Sequence, residues 1–178
     1  DTSSSVFTVN GGGTLLGGNG TTGTVNNFGN VSTGEGALAI KGDYTQSKDA
    51  SLTYKVGNDI AVSGKANIDG SLNVMATAAK YVETGTHRVL NAAGGLTGQF
   101  ADVNTKSAFL TVGNTVYDSN NVYTDVGLKS ASETATIKGG VSTASAQLTD
   151  KLLAKADALY KSGDTSNNLV NYAAQLQT

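Results

Sequence analysis

His87 is the sole histidine of the chain and Arg88 the sole arginine. Any catalytic triad or imidazole-bound metal within these residues therefore has to use this dipeptide. It sits in an alternating segment between Thr86 and Val89, and no Gly-x-Ser-x-Gly elbow occurs anywhere in the chain. The pair could hold a small anion, but a histidine on the solvent face of a strand beside a surface arginine accounts for both. Gly11-Gly12-Gly13 and the glycines that follow to Gly23 suggest a phosphate loop. They lack the Lys-Ser/Thr ending and open no helix, so turns explain them better. Asp43, Asp49, Asp59 and Asp69 are spaced too widely for a calcium loop, and each lies beside a turn signal. They are expected to form turns through side-chain-to-backbone hydrogen bonds, with an incidental cation as the alternative. A polysaccharide lyase or hydrolase needs several carboxylates or a base converging on one face, with aromatics lining the subsites. Tyr44, Tyr54 and Lys55 are the nearest this chain offers, and they are too few. No catalytic residue, cofactor site or metal site is expected.

Composition points the same way. Charged residues are 15% of the chain, against about 25% in ordinary globular proteins. Thr, Ser, Asn and Gly fill the surface positions instead, as in extracellular β-rich proteins. A net charge of −2 argues against a nucleic-acid partner. Without cysteine there is neither a disulfide framework nor a thiolate, which is compatible with export in an unfolded state. Proline is absent too. No apolar run approaches the roughly 20 residues of a membrane helix. The opening Asp1-Thr2-Ser3 suggests a fragment or a processed piece.

The elements that carry these residues are short strands. Between Gly36 and Val74 four apolar segments alternate strictly: Leu38/Ile40, Leu52/Tyr54/Val56, Ile60/Val62 and Leu72/Val74. Only Gly, Asn, Asp and Ser turns separate them, and no gap has room for a helix. A small residue followed by leucine recurs at Leu15, Leu38, Leu52 and Leu72, at intervals of roughly fourteen to twenty-three residues. Irregular intervals with constant strand motifs predict an all-β fold in which short strands stack as a parallel β-helix and the turns vary in length. An antiparallel sandwich is the competing architecture, but aromatics are 6% and tryptophan is absent, which suits a narrow aliphatic interior better. The stretch 75–80 is expected to be a loop. Strands resume at Tyr81-Val82, at His87–Leu90 and near Gly94–Phe100. Ala108–Val112, Val116-Tyr117 and Val122–Leu128 follow, the last two joined by a turn at Asp118–Asn121 into a hairpin that caps the solenoid.

Residues 1–128 thus form the β-helical segment with core 36–128, residues 129–141 a polar linker, and residues 142–178 a helical segment. Leu148, Leu152, Ala156, Leu159 and Tyr160 make one helical stripe with Leu153 at its edge, and Gly163 is the stop. Asp164, Thr165 and Ser166 are N-cap candidates for a second helix whose stripe is Leu169, Ala173 and Leu176. With three lysines and no arginine in this region, the helix pair reads as a packing appendage rather than a DNA reader, whose recognition helix would need more basic residues. A homodimer through the apolar stripe is possible.

The run Gly36–Val74 is followed by Tyr81-Val82, Gly85, Val89-Leu90-Asn91-Ala92, Gly94-Gly95-Leu96-Thr97-Gly98-Gln99-Phe100, Tyr117-Asp118 and Asn121-Val122-Tyr123. This succession resembles the C-terminal passenger segment of type V secretion autotransporters, especially those with a subtilisin-like protease at the front. Three motifs stand in the family's order over residues 36 to 128: Gly42-Asp43-Tyr44-Thr45-Gln46, Ala61-Val62-Ser63-Gly64-Lys65-Ala66 and the Gly-Gly-Leu-x-Gly-x-Phe segment. The resemblance implies a non-catalytic autochaperone segment that seeds folding of a secreted β-helix during outer-membrane translocation. Its implied partners are upstream passenger coils and a downstream translocator barrel, its implied location the bacterial cell surface. The helix from Ser145 to Lys161 would then be the linker that threads the barrel: about seventeen residues at about 1.5 Å each is about 26 Å, near the thickness of the hydrocarbon core. A surface adhesin or self-association module is the alternative function.

Overall fold

The computed structural model describes residues 4–78, 80–132 and 143–178. Among the described residues sixteen strands precede two helices: β1 (Val6–Val9), β2 (Thr14–Leu16), β3 (Gly20–Thr22), β4 (Thr24–Asn27), β5 (Asn30–Ser32), β6 (Leu38–Ile40), β7 (Tyr44–Gln46), β8 (Ser51–Lys55), β9 (Ile60–Val62), β10 (Ala66–Ile68), β11 (Ser71–Met75), β12 (Gly85–Ala92), β13 (Leu96–Gly98), β14 (Asp102–Thr105), β15 (Leu110–Tyr117) and β16 (Asn121–Leu128), then α1 (Thr143–Lys161) and α2 (Asn168–Gln177). The chain is mostly β, with parallel sheets and two C-terminal helices.

The strands are placed in rotation among three sheets, ordered β1-β4-β7-β10-β13, β2-β5-β8-β11-β14 and β3-β6-β9-β12-β16-β15. From β4 to β14 each strand therefore pairs in parallel with the one three before it. Register aligns like with like. Phe7, Val25, Tyr44, Ala66 and Leu96 form one inward column, Leu15, Val31, Leu52, Leu72 and Val103 a second, and Leu38, Ile60 and Leu90 a third. Alternation at period two puts these side chains inside because a one-residue slip would turn each strand's apolar set to water. Successive passes approach closely at the corners. At Gly70 φ is +68°, and a Cβ would lie 2.3 Å from the Ala50 carbonyl oxygen, so only glycine fits.

Six strands, not four, lie between Leu38 and Met75. The two additional ones are β7 and β10. In β7 the second inward residue is Gln46, and a polar residue at an interior position interrupts the apolar alternation. Residues 76–78 and 80–84 form no strand, in line with the loop expected over 75–80 except that Met75 is the last residue of β11. The strand expected at Tyr81-Val82 is absent. Tyr81 packs into a second apolar cluster with Leu153, Ala156, Val170, Ala173 and Ala174. Gln177 takes the place of a neighbouring strand: its Oε1 accepts from the Val82 N–H and its Nε2 donates to the Val82 carbonyl, both at 2.8 Å.

The expected hairpin is present, with two adjustments. Val112 and Val116-Tyr117 belong to one strand, β15, whose register against β16 shifts between Val112 and Thr115, and Ala108 precedes it. β16 is antiparallel to both β12 and β15. Asp118 Oδ1 accepts from the N–H groups of Asn120 and Asn121, at 2.7 Å each, which closes the turn.

The helical stripe is rotated from its expected position. Leu153 and Ala156 are fully buried, whereas Leu148 is 65% exposed. The burying surface is Tyr81 and α2, and it lies on the Leu153 side. α1 ends as expected at Gly163 (φ +92°). There the N–H groups of Gly163 and Asp164 bond the carbonyls of Tyr160 and Leu159, at 3.0 Å each, the paired arrangement of a glycine-terminated helix. The N-cap of α2 is Asn167, whose Oδ1 accepts from the Leu169 N–H at 3.0 Å. Asp164 supports the cap by accepting from Asn167 Nδ2 at 2.9 Å. In α2 the buried residues are Val170, Ala173, Ala174 and Gln177. Of the expected linker, residues 133–141 lie outside the described residues.

Candidate functional site

Among the described residues, His87, Arg88, Asp43, Asp59, Asp69 and Lys55 each engage a neighbour. His87 is half-buried, and its Nε2 donates to the Glu83 carbonyl oxygen at 2.9 Å. It borders a cleft of about 330 Å³ between the loop after β11 and Tyr160, together with Glu35, Asn58, Thr77 and Glu83. Arg88 faces away to Asp59: Nε and NH2 lie 2.8 and 2.7 Å from the same Oδ2. Asp59 is thus an ion-pair partner between β9 and β12, not a turn former. Asp43 links successive passes by accepting from the Lys65 N–H at 2.7 Å. Asp69 closes its own turn on the Gly70 N–H, and Asp49 is exposed.

Tyr44 and Tyr54 point into the core. Burial pushes both phenols up, that of Tyr54 to about 12, although its oxygen accepts from the Gly57 N–H. Lys55 pairs with Glu35, and that hydrogen bond holds the Glu35 carboxyl below its ordinary range against the opposing effect of burial. Of the glycines from 11 to 23, Gly20 opens β3 and the others lie in the connections between β1 and β4. Among the described residues no group of three or more His, Asp or Glu could hold a metal ion.

The polar residues that matter inside were not singled out from sequence. Asn27 and Gln46 are buried and stand in register on β4 and β7. Gln46 accepts from the Tyr44 hydroxyl at 2.6 Å and donates to the Asp69 carbonyl at 2.6 Å. Asn27 donates to the Ser51 carbonyl at 2.9 Å and accepts from the Gly29 N–H at 3.0 Å. The two amides satisfy corner backbone groups that turn inward between the first and second sheets. Parity was the available signal: Val25/Asn27 and Tyr44/Gln46 share one phase of alternation.

The two outer edges of the three sheets differ. At the C-terminal end the β15–β16 turn crosses the edge of the first sheet. The Leu96 N–H bonds the Ser119 carbonyl at 2.8 Å, and Asn120 Nδ2 bonds the Ala92 carbonyl at 2.6 Å. The Tyr117 hydroxyl accepts from the Phe100 N–H at 3.2 Å, and Leu110 is buried beneath. At the N-terminal end β1, β2 and β3 are the outer strands of their sheets. Among the described residues nothing pairs with their outer edges. Val6 and Leu16 are 66% and 67% exposed there.

The helices are clasped to the β part by polar contacts. Asp157 accepts from the Thr84 N–H at 3.0 Å, the Thr84 hydroxyl at 2.9 Å and the Tyr81 hydroxyl at 3.3 Å, and pairs with Lys161 at 2.9 Å. Burial pushes its pKa up, but Lys161 and Thr84 together outweigh that and hold it below the ordinary carboxylate range. The middle of α1 is tied by Asp150, which accepts from the hydroxyls of Ser132 and Ser130 and from the Ala131 and Ser132 N–H groups. These bonds lower its pKa, the Ser132 hydroxyl most. Among the described residues no helix is long and apolar enough to cross a membrane. Neither any protein-family model nor any curated protein sequence matches the chain.

Proposed function

We propose that the three parallel sheets are the faces of a β-helix and that the chain is a non-catalytic folding seed, capped by the β15–β16 hairpin at one end and open to further coils at the other. The observation that carries this reading is the contrast between the ends: a hairpin turn bonded across one, unpaired β1–β3 edges with exposed Val6 and Leu16 at the other. In a stacked architecture stability comes largely from interfaces between neighbouring passes. A capped stack can fold first and offer its open edge as a template, because adding a pass then gains an interface without a new nucleation step. The order of motifs that resembles autotransporter passengers suggests the setting: an autochaperone segment at the bacterial surface, upstream coils adding to β1–β3 and a translocator barrel following the helices.

The test is to remove the cap's packing. Leu110→Asp and Val126→Asp should abolish hydrogen-exchange protection throughout β1–β11 as well as in the hairpin, and deletion of residues 108–128 from the longer parent should abolish its surface display. Loss of protection confined to β12–β16, or undiminished display, would overturn the seed.

A second reading, self-association, is favoured by the same exposed edge. Two copies could meet at Val6 and Leu16 when no upstream coil covers them. Light scattering distinguishes the readings, since a monomer that binds no glycan or cell surface supports the seed.

A further inference from the structure

Two asparagines in the chain are followed by glycine: Asn10-Gly11 and Asn19-Gly20. Such pairs can modify themselves. The glycine amide nitrogen, after losing its proton to solvent base, attacks the asparagine Cγ. The N–Cγ bond forms, the Cγ–Nδ2 bond breaks and ammonia leaves. Water then opens the five-membered imide at either carbonyl, giving aspartate or isoaspartate. Glycine favours the reaction because it has no side chain to obstruct the approach and its backbone reaches the required angles.

The fold treats the two sites differently. Asn19 is held in the left-handed region (φ +63°). Its Oδ1 accepts from the Ala37 N–H at 3.2 Å, and its own N–H bonds the Ala37 carbonyl at 2.8 Å. Its carboxamide lies against Gly36, where a Cβ would come within 2.5 Å of Asn19 Cγ. That carboxamide is clamped between two passes and cannot swing onto the Gly20 nitrogen. Asn10 lies in the turn from β1 to β2 and is exposed. Its carbonyl accepts from the Gly13 N–H at 2.8 Å, but its side chain has no hydrogen-bond partner among the described residues. Gly11 and Gly12 follow, the latter at φ +80°.

We infer that Asn10 is a self-modification site, converting to aspartate and isoaspartate in the folded protein while Asn19 is protected by its bonds to Ala37. Conversion places a carboxylate at the open end of the stack. The isoaspartyl form also adds a backbone atom where the chain is tight: a Cβ on Gly29 would meet the Asn10 carbonyl oxygen at 2.3 Å. The neighbouring bond from the Phe28 N–H to the Val9 carbonyl, 2.7 Å in this structure, should loosen.

The experiment incubates the whole folded chain in mildly alkaline heavy-oxygen water, follows both sites by peptide mass mapping, and repeats the series in concentrated urea. In the folded chain Asn10 should convert at least about tenfold faster than Asn19, the factor that roughly 1.4 kcal/mol of local opening supplies. In urea the two rates should converge. Equal rates in the folded chain, or an Asn10 that reacts only in urea, would overturn the assignment. Gly11→Ala should slow conversion at Asn10. Undiminished conversion in that variant means direct hydrolysis of the amide and rejects the cyclic route.

Discussion

Gln46 shows what a single residue contributes in this interior. It is fully surrounded, and each half of its amide has a partner: the Tyr44 hydroxyl on one side and corner carbonyls on the other. Gln46→Met keeps the volume but leaves the Tyr44 hydroxyl and the Asp69 carbonyl without this partner. An unsatisfied buried polar group costs about 1–3 kcal/mol, so the variant should lose stability by that amount in urea unfolding, with the slope unchanged. A stability equal to the parent's would mean that the neighbouring groups find other partners. The alternation that turns Leu52 and Tyr54 inward was legible from sequence. The pairing of Arg88 with Asp59 was not, because it joins residues 29 apart in sequence.

At the scale of elements, the helix pair is held by a few ionised and amide groups as well as by apolar packing. Asp157 has a folded pKa below its unfolded value, so its contribution is present above the unfolded carboxylate pKa of about 3.9. It is lost as pH falls through the folded value. The sign is therefore acid release. Below about pH 4 the Val82 amide, bonded to Gln177, should lose exchange protection before the amides of β8 and β11 do. Asp157→Asn should bring part of that release to neutral pH, because the amide no longer offers a charged acceptor to Lys161 and Thr84. Equal protection of Val82 at pH 3 and pH 7 would show that the apolar cluster around Tyr81 suffices alone. The sequence located both helices and the Gly163 stop, since helical periodicity and a terminal glycine are local signals. It misplaced the buried stripe by one position because the leucines of α1 lie on two faces, Leu148, Leu152 and Leu159 on one and Leu153 on the other. Which of them is covered depends on where Tyr81 stands.

At the scale of the whole molecule the proposed seed turns on the unpaired edges of β1, β2 and β3. Val6 and Leu16 make little contact with the core, so Val6→Asp with Leu16→Asp should change the unfolding midpoint little, within about 0.5 kcal/mol for exposed positions. The same pair should abolish any concentration-dependent association seen by light scattering. A large loss of stability would mean that these side chains are internal to the fold. Persistence of association would place the contact elsewhere, at exposed Leu148 or Tyr172 on the helices.

The class of the molecule was legible in the sequence: short alternating strands, small polar turns, a hairpin near residue 118 and two C-terminal helices. These features follow from local rules of period two, period 3.6 and turn chemistry, each readable within a few residues. Only the tertiary structure decided that strands pair with every third neighbour, that Gln46 and Asn27 belong inside, and that Val82 bonds a glutamine instead of a strand. It also decided which asparagine is clamped and which is free. All of these depend on contacts between residues about twenty or more apart, where register between successive passes, not local propensity, sets which groups meet.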